Sequence, residues 1–223
     1  MRRTLAPQPE DGQYFAAHMR AGKTTATKPR RYRMGRRQAA IEQTRDRITR
    51  AAFELHGIVG PAQTSISAIA ERAGVQRHTV YSHFPDMQSL IEACTAHGMR
   101  VTVLPDPIAL ASVADPVERL TQGLEALYAY YRANARLLGN IMRDMAVMPE
   151  LVAGSRAFAD GMATIAGALA YGWAVAPERA RIHGAALSHA VDFGTWQSLT
   201  RFGLTDAEAV RLMVGFVESS ASD

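Results

Sequence analysis

The chain has 223 residues, 48% of them apolar, with 25 basic and 21 acidic side chains for a net charge of +4. This length supports a real hydrophobic core, and a single cysteine, Cys94, excludes an internal disulfide framework. Ten basic and two acidic residues fall within residues 1–40 and fifteen and nineteen in the remainder, so a basic segment precedes a mildly acidic body.

Residues 1–37 are rich in Pro, Gly, Thr and Arg and carry no sustained apolar periodicity. They cannot bury enough surface to offset chain entropy, which predicts a disordered basic arm. Met34, directly before a helical pattern, is a second candidate start of translation. Helical spacing begins at Ile41 and continues through Ile48, Ala51, Ala52, Phe53 and Leu55 to a break at Gly57…Gly60-Pro61. Thr64 and Ser65 are N-cap candidates for a helix carrying Ile66, Ile69, Ala70 and Ala73, which Gly74 stops. A short helix is predicted over about 76–83. Pro85-Asp86 then opens another, with Leu90, Ile91, Ala93 and Cys94, the last read as a small apolar filler.

Beyond Pro105-Asp106-Pro107 the periodicity predicts helices over about 116–134, 136–147, 150–174, 178–202 and 206–219, with Thr205 as an N-cap. No alternating strand pattern and no repeat of fixed period interrupts them. The longest uncharged run, Gly161 to Ala176, is short for a membrane span and reads as a buried helix. The basic N-terminus has no apolar run behind it, so a secretory signal is not expected and the expected location is the cytoplasm. The prediction is all-α: an N-terminal three-helix bundle within residues 42–102 and a larger helical domain over 107–219.

Two short helices joined by a Gly turn form a helix-turn-helix, here residues 65–84. With Val80 inward, Phe84 falls beside it, His78 and Ser82 point away, and Thr79 and Tyr81 lie on the flanks. This arrangement suits DNA. Arg77 can pair with guanine and Gln76 with adenine, and His78 and Thr79 can reach bases or phosphates. Ser82 lies on the same outward face, and Tyr81 and His83 suit phosphate oxygens, which fix register. Thr64 and Ser65 would offer a hydroxyl and free N–H groups to a phosphate at a helix start. His83 and Tyr81 also admit a structural reading as half-buried or core side chains.

The joint pattern resembles the TetR (tetracycline-repressor-type) family of bacterial transcription regulators. The residues that carry the resemblance are Arg45-Asp-Arg-Ile48, Ala51-Ala52-Phe53-Glu54-Leu55, Gly60, Thr64-Ser65, Ile69-Ala70-Glu-Arg-Ala73-Gly74-Val75, Val80-Tyr81-Ser82-His83-Phe84 and Leu90. The match covers about residues 42–102; beyond it only length and helicity agree. The chain departs from the family in carrying Met87 where a phosphate-binding Lys follows the cap of the fourth helix, and His78 where a small residue is common.

The resemblance implies a homodimer formed by the last two long helices, operator DNA as partner, and a small-molecule effector in the C-terminal domain that releases the protein from its operator. It implies repression as the usual mode; no cofactor is expected, and no metal site either, since His183 and His189 are six apart, off one helical face, with no Cys to join them. Candidate effector contacts are Tyr131, Met142, Met145, Phe158, Met162, Trp173 and Trp196, with Tyr128, Met148 and Phe193 nearby in sequence character and His183 and His189 as polar handles. Each is also ordinary core material. Two rival readings stay open: an adaptor that keeps the scaffold without binding DNA, and an enzyme. The chain contains no G-x-G-x-x-G, G-x-S-x-G, H-E-x-x-H or C-x-x-C, which argues against the enzyme.

Overall fold

The computed structural model describes residues 28–222, with side chains from Met34 onward. Among the described residues there are eleven α-helices, one 3-10 turn and no strand, so the all-α prediction holds. None of these helices is long and apolar enough to cross a membrane. Residues 42–223 form one compact unit.

The first helix, α1 (Lys28–Ile58), starts well before Ile41. Residues 28–37, expected to belong to the disordered arm, are helical instead: Lys and Arg extend an established helix without needing an apolar face, and Pro29 falls in the first turn, where its missing N–H is tolerated. The remainder of the expected arm, residues 1–27, lies outside the described residues. After α1 the chain turns through Gly60 and the 3-10 turn Pro61–Gln63 into α2 (Ile66–Ala73) and α3 (Arg77–His83). Asp86 accepts from the Ser89 N–H at 2.7 Å and caps α4 (Met87–Val101), as the Pro-Asp pair predicts. Ile48, Ile69, Val80 and Leu90 are fully buried in the N-terminal core. Each contributes about 1.5–3 kcal/mol by leaving water.

The larger bundle comprises α5 (Pro107–Ala111), α6 (Pro116–Asp144), α7 (Pro149–Gly154), α8 (Arg156–Ala170), α9 (Ala180–Ala190), α10 (Phe193–Arg201) and α11 (Asp206–Ala221). Three boundaries differ from the sequence reading. Residues 116–144 form one helix rather than two, and Asn134 bonds back to the Tyr130 carbonyl at 2.9 Å within it. The stretch 150–174 divides at Ser155, and 178–202 divides at Asp192, whose carboxylate accepts from the Thr195 N–H and starts a new helix. Thr205 and Glu208 form a reciprocal capping box at the start of α11. Most of the periodic apolar residues of α9 and α11, among them Ala186, Leu187, Val210 and Met213, pack into the subunit's own core, whereas Ile182, Leu212 and Phe216 stay exposed.

The end of α6 holds the end of α1. Asn140 Nδ2 donates to the His56 carbonyl at 3.0 Å, Arg136 Nε to Gly57 at 2.5 Å and Arg143 Nη2 to Val59 at 2.9 Å. The His56 carbonyl also accepts from the Gly60 N–H at 3.1 Å; the side chains add donors at a helix C-terminus, where carbonyls outnumber backbone donors and cations are favoured. Asp144, buried to 3% exposure, accepts from the Ala62 N–H at 2.9 Å and from Arg143 Nε at 2.7 Å. The Arg143 bond, ahead of the Ala62 N–H, holds its pKa below the usual carboxylate range despite burial.

Gly60 makes this junction possible. Its φ of 95° and ψ of 157° lie in a region that side chains rarely adopt, and a Cβ would strike the Arg143 guanidinium and the Asp144 carboxylate. Gly60→Ala is therefore expected to cost about 2 kcal/mol of stability, read as a lower urea midpoint at unchanged slope. A midpoint equal to wild type would show that the junction yields without cost.

Candidate nucleic-acid interface and ligand cavity

The helix-turn-helix is fixed by three local devices. Ser65 Oγ accepts from the Ala68 N–H at 3.1 Å and starts α2. Gly74 ends it in the left-handed region at φ 64°, with its N–H returning to Ala70 and Glu71 and the Val75 N–H bonding to Ala70. On α3, Val80 is fully buried and Phe84, just past its end, is 2% exposed. With those anchors inward, Gln76, Arg77, His78, Tyr81 and Ser82 are exposed and Thr79 and His83 half-buried. Gln76 occupies the N-cap position with no side-chain cap bond, which leaves its amide for another partner.

The structure narrows the candidate list. Thr64 is 7% exposed and its hydroxyl donates to the Gly60 carbonyl at 2.7 Å, so it braces the loop rather than facing outward; this corrects its expected role as a phosphate contact. Its neighbour Ser65 is exposed. Ser82 spends its own proton on the His78 carbonyl at 2.9 Å and can only accept outward. Met87 opens α4 half-buried against the N-terminal core, which accounts for an apolar residue there.

One participant escaped the sequence reading. Arg45 of α1 donates from Nη1 to the His83 carbonyl at 2.5 Å, and its guanidinium lies 4.1 Å from the Phe84 ring centroid. It closes the C-terminal end of α3 and stacks on its anchor, so it sets the angle of the exposed helix. The sequence marked Arg45 through the resemblance and its place one turn before Ile48, but neither cue assigned it a contact to α3.

A cavity of about 410 Å³ is walled by residues of both bundles. From the N-terminal side come Phe53, His56, Cys94 and Met99; from the larger bundle come Tyr130, Tyr131, Ile141, Met142, Met145, Phe158, Met162 and the corner Val191-Asp192-Phe193. Five candidates from the sequence therefore meet in one place: Tyr131, Met142, Met145, Phe158 and Met162. Trp173, Trp196 and the two histidine handles do not line it. Trp173 donates to the Leu169 carbonyl at 3.0 Å and packs against His183, with ring centroids 4.9 Å apart. Trp196 is 4% exposed and donates to Asp206 at 2.9 Å, and His189 pairs with the Thr195 hydroxyl at 3.0 Å. Among the further candidates, Phe193 also lines the cavity. Tyr128 and Met148 do not, and Tyr128 closes the end of α9 through its bond to the Ala190 carbonyl at 2.8 Å.

Burial sets the protonation of the cavity wall. The His56 imidazole is lowered to about 4, chiefly because burial disfavours the cation, against a partial opposing pull from Asp144. Burial also raises the Cys94 thiol to about 12, so it is neutral and unreactive. Tyr131 is raised by burial and donates its hydroxyl to the Val191 carbonyl at 2.5 Å.

Comparison with known proteins adds the following. Residues 48–94 match the family described as bacterial regulatory proteins, tetR family. The HTH-type transcriptional regulator SrpR of Pseudomonas putida is 36% identical over 77 residues, 33% of this chain; the match spans only 36% of that relative's length. Among solved structures, NalD of Pseudomonas aeruginosa, the secondary repressor of the MexAB-OprM multidrug efflux pump, superposes with a TM-score of 0.59 at 23% identity over 82% of this chain and 98% of that one. A TetR-family transcriptional regulator from Mesorhizobium loti gives a TM-score of 0.59 at 20% identity over 81% and 96%. At these identities the structural likeness speaks for the fold.

Proposed function

We propose that the chain is a member of the TetR family, whose pattern it matches over residues 48–94, and that it is a cytoplasmic, sequence-specific transcriptional repressor, acting as a homodimer and released from operator DNA by a small-molecule effector. The observation that carries this reading is α3: Gln76, Arg77 and His78 stand exposed at its start while Val80 and Phe84 anchor it. The N-terminal end of such a helix enters the major groove, where Arg77 suits guanine and Gln76 adenine. Ser65, Thr79, Tyr81, Ser82 and His83 lie where phosphates would flank it, and Arg45 positions the helix.

The dimer reading is supported by Ile182 on α9 and by Leu212 and Phe216 on α11, large apolar side chains exposed on the last helices of the bundle. Two copies would present two recognition helices to half-sites about one DNA turn, or a multiple, apart. The effector reading is supported by the cavity. A compound wedged between Phe53 and His56 on one side and α6 on the other would press on the clamp joining α6 to α1. Shifting the dimer between binding and non-binding spacings requires a preference of about 1–3 kcal/mol, ordinary for such coupling.

The test is an anisotropy titration of the full chain on duplex from its own upstream region and on a scrambled duplex, at about 0.15 M salt. A preference of about a thousandfold for the upstream duplex is expected. Equal affinity for both would overturn the reading.

A further inference from the structure

The cavity is asymmetric in charge. Among the described residues that wall it, Asp192 is the one acidic side chain, and no Lys or Arg lines it. His56 and Cys94, its other titratable walls besides the tyrosines, are neutral there through burial. Asp192 is exposed, so this end of the cavity meets solvent, and one of its oxygens caps α10 by accepting from the Thr195 N–H at 3.1 Å. Aromatic rings line the same cavity: Tyr131 and Phe193 meet edge to face at 5.3 Å, and Tyr130 stacks with Phe158 at 6.4 Å.

We propose that the effector is a hydrophobic compound bearing one positive charge, its cation directed to Asp192 and the neighbouring rings and its apolar body among the cavity methionines. This rests on the cavity being the effector site. An ammonium or amidinium group finds there a carboxylate and negative ring faces, an arrangement that attracts cations. A carboxylate or phosphate would lose its hydration with no cation to meet it, and Asp192 would repel it. Four flexible thioethers, from Met99, Met142, Met145 and Met162, adapt to bodies of varied shape.

Three compounds with one body and different heads provide the test: para-hexylbenzylammonium, para-hexylbenzyl alcohol and para-hexylbenzoate, titrated calorimetrically into the full chain. The ammonium is expected to bind about tenfold or more tighter than the benzoate, with the alcohol between. Asp192→Asn removes the charge while keeping a good helix cap. It should weaken the ammonium about tenfold and leave the alcohol within about twofold. Benzoate binding as tightly as the ammonium, an Asp192→Asn variant with unchanged preference, or binding of none of the three would overturn the proposal. The predicted order without any release of operator DNA would uphold the charge preference and count against the switching reading instead.

Discussion

Arg77→Ala is expected to weaken binding to the preferred duplex by about 1–3 kcal/mol for each recognition helix engaged, and about twice that for a dimer on both half-sites. The side chain is exposed at the first turn of α3, and neither core uses it, so its loss should leave folding intact. A bidentate guanidinium–guanine pair discriminates among bases, whereas a phosphate contact does not. The variant should therefore lose affinity for the preferred duplex and keep most of its affinity for a scrambled one. An equal loss on both duplexes would reassign Arg77 to the backbone. Changing Arg45 instead should tilt α3 and weaken every base contact together.

The second large effect is a loss of stability in acid that originates in one residue. His56 is 5% exposed and lowered to about 4, while in the unfolded chain it titrates near 6.5. Between those values the unfolded state binds a proton that the folded state does not, so stability rises with pH across that window and falls as pH drops. About 2 kcal/mol should disappear between pH 7 and 5 and about 3 by pH 4. Carboxylates held low by their partners, such as Asp144 and Asp206, add their own losses below that window. His56→Met, close in volume and unable to titrate, isolates the histidine share. Its urea midpoint should fall less steeply with pH than that of the wild type over the same range. Parallel curves would show that His56 is hydrated or paired in the folded protein.

How much of this could be read from the sequence depends on how local each feature is. The helix-turn-helix was legible because Ser65, Gly74, Val80 and Phe84 act through neighbours within a turn or two, and capping and helical period report such contacts directly. Thr64 was misjudged for the same reason: adjacent hydroxyls at a helix start look alike, and only the path of the Gly60 loop decides which one turns inward. The division at Asp192 was present as a capping signal but was outweighed by continuous apolar spacing on both sides. The cavity was half legible. Aromatic and methionine positions on α6 and α8 marked it, yet Trp173 and Trp196 share that character and close other parts of the bundle. Its other wall, with Phe53, His56 and Cys94, comes from residues far away in sequence that read as ordinary core of the first bundle. The clamp from Arg136, Asn140, Arg143 and Asp144 had a trace, a polar stripe at helical spacing, but its partners are backbone carbonyls and, for Asp144, the Ala62 N–H, which no side-chain pattern announces.

Selection of bound duplexes from a random pool, run in parallel with wild type and Arg77→Ala, tests the central claim that α3 reads DNA sequence. The wild type is expected to enrich an inverted repeat with a guanine in each half-site, and the variant to enrich the same repeat with that guanine position degenerate. A wild-type pool that stays random after repeated rounds would contradict the account.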